Sequence, residues 1–156
     1  MNIRRALTKD INDINKLLFQ VLEIHRQGRP DLFKNNTKKY TEDELLSIIG
    51  DDTKPVFVCV DENDHVLGYA FCIFKEVVND NILKNIKTLY IDDLCVDENA
   101  RGKCIGKSLY NYVINYAKKK GFYNVTLNVW ACNEAAVKFY EGCGLKVKKT
   151  EMEFIL

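Results

Sequence analysis

At Val56 the spacing of apolar residues changes from three-and-four to two, and no other feature limits the fold of this chain as strongly. Ahead of that point Ile11, Ile14, Leu17, Leu18, Val21 and Leu22 repeat at helical intervals, a pattern that fades near His25. Beyond it Val56–Val60 and Val66–Val77 are β-rich runs joined by the turn residues DEND, which predicts a hairpin. Leu89–Val96 is a third run of this kind. The remaining segments fill in around these. MNIRRAL reads as a short first strand, and Thr8 stands where it can cap the first helix. Residues 26–40 are polar and broken by Gly28 and Pro30, so they read as a surface loop. In TEDELLSIIG, Thr41 and Glu44 have the spacing of a capping box and Gly50 ends the helix.

The second half alternates. Ile105–Lys120 carries Ile105, Leu109, Val113, Tyr116 and Ala117 on one helical face, with Lys118–Lys120 at its negative end and Gly121 as its stop. Val125, Leu127 and Val129 predict a strand, and Asn133–Glu141 a short helix closed by Gly142 and Gly144. Leu145–Leu156, with its alternating charges, reads as a last strand. The order is strand, two helices, three meandering strands, helix, strand, helix, strand. Such an order predicts an α/β fold: one mixed sheet with helices packed on it. At 156 residues we expect residues 1–156 to form a single domain.

Composition narrows the partners. A formal net charge of +1 supplies no global field for nucleic acid or an anionic membrane, so any anion site must be local. No run approaches a membrane span of about 18 apolar residues, and the first ten residues lack a signal-peptide core. Six cysteines lack CxxC spacing and are read as reduced thiols in a cytoplasmic protein, with no metal site and no disulfide. Of these, Cys59, Cys72, Cys95 and Cys143 have the apolar or glycine neighbours expected of core positions.

One local anion site stands out. In ARGKCIGKSLYNYV, a glycine-rich stretch opens a helix, where the first N–H groups lack partners and the dipole is positive. Arg101, Lys103 and Lys107 add charge suited to phosphate oxygens. A pyrophosphate suits such a loop. It is no P-loop, because the interval from Gly102 to Gly106 is one residue too short, and the dinucleotide fingerprint is missing as well.

The stretch Arg101, Gly102, Lys103, Cys104, Ile105, Gly106 does resemble the pyrophosphate loop of the GNAT superfamily of N-acetyltransferases, Arg/Gln-x-x-Gly-x-Gly/Ala. A second segment resembles the strand and helix that follow in that family, with Asn133, Ala136, Phe139, Tyr140, Gly144 and Leu145 in register. The resemblance implies a GNAT-like fold with a central, mostly antiparallel sheet flanked by helices. It also implies acetyl-CoA as cosubstrate and no metal. Carried over residue by residue, it places the pantetheine arm on Leu94, Cys95 and Val96, and the diphosphate on the loop Arg101–Lys107. It places Asn133 beside the pantetheine or phosphates and the Tyr140 hydroxyl near the sulfur, to protonate the departing thiolate. Cys104 replaces the family's loop glycine; at a helix start with negative φ it would cost little.

The acceptor side is read from chemistry as well. An alkylamine of pKa near 10.4 must give up a proton at a cost of about 4.6 kcal/mol at pH 7, an α-amine about 1.4. Adjacent strand residues point to opposite faces, so only one of Asp92 and Asp93 should line the site unless a bulge intervenes. By resemblance to small-amine members of the family, Asp92 is assigned to orient the amine or relay its proton, with Asp93 pairing elsewhere. His25, Asp31 and Trp130 are candidates for the border of the acceptor pocket. The expected acceptor is a small cationic amine or a protein amino group, and a homodimer is possible by analogy with relatives. The competing reading is a non-catalytic CoA or acyl-CoA sensor with Cys104 as its regulatory thiol.

Overall fold

A computed structural model describes residues 1–156. Strand β1 (Asn2–Arg5) is followed by helices α1 (Ile11–Gly28) and α2 (Glu42–Ile49). Strands β2 (Val56–Val60), β3 (Val66–Val77) and β4 (Ile86–Val96) come next, then α3 (Ile105–Lys119), β5 (Asn124–Leu127) and α4 (Glu134–Gly142). The five strands lie in chain order, antiparallel throughout except for the parallel pair β4/β5. This is the mixed α/β sheet that the change of period predicted.

Two cores sit on the two faces. Ile14, Leu17 and Leu18 of α1 and Leu45 of α2 pack with Val56, Val58, Tyr69 and Phe71 on one face. Ile105, Leu109 and Val113 of α3 pack with Phe57, Ala70, Leu89 and Ile91 on the other. Alternate residues of β2 and β3 therefore serve opposite cores, which is why both strands are nearly uninterrupted apolar runs. Gly68 fits between them only because it lacks a side chain, since a Cβ there would meet the Cys95 carbonyl oxygen at 2.8 Å.

Several local expectations are corrected. Thr8 opens a short 3-10 turn rather than capping α1. The buried carboxylate of Asp10 does the tethering there: it accepts the Leu7 N–H at 2.8 Å and both Arg4 guanidinium nitrogens at 2.7 and 2.9 Å. Helix α1 continues past His25 to Gly28. The Thr41–Glu44 capping box forms, with bonds of 2.7 and 3.2 Å. All six cysteines are free, but Cys143 is half-buried and only Cys59, Cys72 and Cys95 are core residues. Leu145–Leu156 is not paired into the sheet at all. No helix is long and apolar enough to cross a membrane.

Candidate active site

A bulge in β4 creates the cleft. Pairing with β3 passes from Phe71 opposite Asp93 to Cys72 opposite Ile91, which leaves Asp92 as the extra residue. The consequence is a change of face. Leu89 and Ile91 belong to the α3-side core, yet Cys95, an even number of residues further on, packs with α1. Pairing of β4 with β5 stops at Ile91 opposite Leu127, so the strand from Asp92 to Val96 has a neighbour on one edge only.

Along that open edge lies a cavity of about 660 Å³. Leu94–Val96 form one wall, the loop and first turn of α3 the floor, and α4 from Asn133 through Tyr140 to Cys143 the opposite wall. Every residue that the sequence assigned to the cofactor lines it except Lys103, which is exposed. Tyr140 lines it as well. Val21 and Ile24 of α1 and Phe139 of α4 also contribute and were not anticipated. Helices α3 and α4 pack closely here: a Cβ added at Gly106 would just touch the Phe139 ring, at 3.4 Å.

The floor suits an anion. From Gly102 to Lys107 no main-chain N–H finds an acceptor within the chain; the first bond of the helix runs from the Ser108 N–H to the Cys104 carbonyl. Gly102 has φ of 80° and Cys104 of 58°. This corrects the expectation of negative φ at Cys104, which occupies the left-handed region that glycine tolerates best. A non-glycine residue there carries roughly 1–2 kcal/mol of strain. We expect Cys104→Gly to raise the melting temperature by about 2–4 °C, read by differential scanning calorimetry. No change, or a decrease, would show the loop to be unstrained. Asn133 has a structural duty, its side-chain oxygen accepting the Ala136 N–H at 3.2 Å to cap α4.

The acidic pair sits at the bulge. Asp92 accepts a bond from the Tyr40 hydroxyl and pairs with the Lys39 ammonium at 2.7 Å. Asp93 accepts from the Tyr69 hydroxyl at 2.9 Å. Although Asp93 is half-buried by surface, desolvation of its carboxyl pushes the pKa up to about 6, aided by the charge of Asp92 and opposed by Lys39 and Tyr69. Tyr140 is pushed above the ordinary phenol range by burial first and by the Asp93 charge second. It remains protonated at any physiological pH. Tyr40 is raised by burial and then by its hydrogen bond to Asp92, and Tyr69 by burial and then by the Asp93 charge.

The three residues assigned to the acceptor border are only partly gathered. His25 and Trp130 are linked through Phe33, with ring centroids 5.3 and 5.4 Å apart. Burial, and then Lys39, lower the His25 pKa, so its imidazole is neutral at pH 7 rather than answering the helix dipole as a cation. Asp31 is exposed and tied to Arg29 at 2.8 Å. None of these three, nor Asp92, lines the large cavity. Asp93 was expected to pair away from Asp92 and does so with Tyr69, whereas Tyr40, Tyr69 and Phe33 were not anticipated.

The arrangement invites comparison with known proteins. The family described as Acetyltransferase (GNAT) family matches residues 18–145. A tetramutant of the Bacillus halodurans protein BH1408 superposes with a TM-score of 0.95 at 31% identity, over 100% of both chains. An uncharacterized N-acetyltransferase of Methanocaldococcus jannaschii is 28% identical over 94% of this chain, which spans 61% of that protein's length. A glucosamine 6-phosphate N-acetyltransferase of Arabidopsis thaliana is 26% identical over 74% of this chain and 67% of its own length.

Proposed function

The chain belongs to the GNAT acetyltransferase family, and on that premise we propose that it moves the acetyl group of acetyl-CoA to a primary amine by direct attack. The observation that carries the proposal is the row of free N–H groups from Gly102 to Lys107 at the floor of the β4–α4 cleft. Gly102 and Gly106 bring no side chain to this floor, and Gly102 and Cys104 hold the loop in positive φ. It fits a diphosphate, and Arg101 and Lys107 add charge at its rim. The unpaired edge of Leu94–Val96 fits an amide-bearing pantetheine arm. When bound, acetyl-CoA supplies an activated acyl group and a thiolate leaving group.

The chain's own residues then divide the proton work. Tyr140 gives its proton toward the sulfur. Asp92 orients the acceptor's ammonium, and the seat already taken there by Lys39, itself an alkylammonium, supports a cationic amine. Asp93, whose pKa of about 6 suits a base working near neutrality, takes the amine's proton through water. His25, Phe33 and Trp130 offer an apolar border to the acceptor. The name of the Arabidopsis relative makes glucosamine 6-phosphate one acceptor to try.

Calorimetry with acetyl-CoA, followed by thiol release over alkylamines, peptide amines and glucosamine 6-phosphate, tests the proposal. Binding with turnover of at least one amine is expected. Absence of binding at millimolar acetyl-CoA would sink it. Tight binding without turnover of any amine would favour the sensor, with Cys104 as its exposed thiol.

A further inference from the structure

We propose that this chain acetylates its own Lys39, the acetyl group passing within one molecule from acetyl-CoA to the lysine Nζ. The step rests on the acetyl transfer proposed above, with the acceptor supplied by the chain itself. Lys39 Nζ pairs with the Asp92 carboxylate at 2.7 Å and donates to the Asp92 carbonyl at 3.1 Å. Both oxygens belong to the bulge of β4, two residues before the cleft wall begins at Leu94. Two residues of extended chain reach about 7 Å, so the amine stands within about 10 Å of that wall.

Its neighbours keep it there. Lys38 Nζ donates to the Asn15 side chain at 2.7 Å, which ties the loop to α1. Tyr40 donates its hydroxyl to the Asp92 carboxylate and stacks on Phe71, with ring centroids 5.4 Å apart. With the chain held on both sides, Lys39 meets the site as an intramolecular reactant, at an effective concentration that no dilute amine matches. Its side chain is 40% exposed, so Nζ can turn from Asp92 toward the cleft without unpacking a core.

The groups that the transfer needs adjoin the same place. The Asp93 carboxyl is close enough to Lys39 to be stabilised by its charge, and close enough to Tyr140 to raise that phenol. In the step itself the bond from Nζ to the acetyl carbon forms and the thioester C–S bond breaks. The ammonium loses one proton to Asp93 through water, and from there to solvent. Tyr140 gives a proton to the departing sulfur, and the second proton that the nitrogen sheds as the amide forms restores it. The products are acetylated Lys39, a free thiol and one proton in solution. The modified side chain carries no charge, so Asp92 is then open to another cation.

Incubation of the full chain with acetyl-CoA and no other amine, followed by peptide mapping in a mass spectrometer, tests this. Lys39 should gain one acetyl group at least about tenfold faster than Lys34, which is exposed in the same loop, or Lys38. The rate per chain should be constant over a wide range of protein concentration, and the selectivity should vanish in the urea-unfolded chain. Without acetyl-CoA, calorimetry should show n-butylammonium binding about tenfold more tightly to Lys39→Met than to the wild type, because the seat on Asp92 is then vacant. Turnover of a free amine with no preference for Lys39 overturns this proposal and leaves the transferase reading standing. A rate that rises with protein concentration overturns it too, since the transfer then runs between molecules. So does equal affinity of wild type and Lys39→Met for n-butylammonium. Failure to bind acetyl-CoA overturns both this proposal and the transferase reading.

Discussion

Tyr140→Phe should lower kcat by about 10²–10⁴ while leaving the acetyl-CoA dissociation constant within about twofold. The ring fills the same space in the wall of the cleft, so binding and stability are preserved and only the O–H is lost. Burial and the neighbouring Asp93 charge keep this phenol protonated, so it is ready to donate across the whole working range of pH. Donation from a phenol of raised pKa to an exposed thiolate of pKa near 8.5 would run uphill. The leaving sulfur is not in water, however. Desolvation in the cleft raises the proton affinity of a thiolate, so a proton donor placed at the sulfur is worth most there. Single-turnover thiol release with saturating amine is the measurement. A variant that retains more than half of the wild-type rate would remove Tyr140 from the chemistry.

How much of this was legible beforehand follows from which interactions are local. The capping box at Thr41 and Glu44 is set within one turn, and it formed as read. The anion loop and Asn133–Tyr140 are contiguous motifs, and the fold brings both to one cleft. The bulge at Asp92 is not local. It arises from the pairing of Phe71 and Cys72 with β4, so period-two alternation alone could only say that one carboxylate would be excluded unless such a bulge occurred. The bulge brings both carboxylates within reach of the Tyr40 hydroxyl's field. Tyr40 and Tyr69 come from the loop before α2 and from β3, and nothing in their own neighbourhoods marks them. Cys104 had a signal that was misjudged. A family glycine at a loop position speaks for positive φ, and a cysteine there inherits that backbone. At Leu145–Leu156 the strand pattern is present but its hydrogen-bonding partner is absent from the sheet of this chain. Periodicity reports what a segment can pair with, and says nothing of where the partner lies.

Asp93→Asn should have the second large effect, and it separates two consequences of one raised pKa. Asparagine keeps the shape and can still accept from the Tyr69 hydroxyl, but it cannot take a proton. For catalysis, a base of pKa about 6 gives the wild type a kcat/KM that rises through pH 6 and levels above it. The variant should lose that limb and about 10²-fold or more of the plateau rate. For stability the sign is opposite. A carboxyl whose pKa is higher folded than unfolded binds its proton more tightly in the folded state. Its stabilising contribution is therefore full below about pH 4 and is lost as pH rises through about 6. Other carboxylates, such as Asp64 between Arg4 and Lys9, are held low and pull the other way, so the wild-type profile alone is uninformative. The difference between wild type and Asp93→Asn isolates the one group. Denaturant unfolding at pH 4, 5, 6 and 7 should show the wild type losing on the order of 2 kcal/mol relative to the variant across that range. If both differences are flat with pH, the carboxyl is ordinary and the proton must leave the amine by another route. If only the stability difference appears, Asp93 is a buried acid that shapes the site electrostatically, and the base lies with Asp92 or solvent.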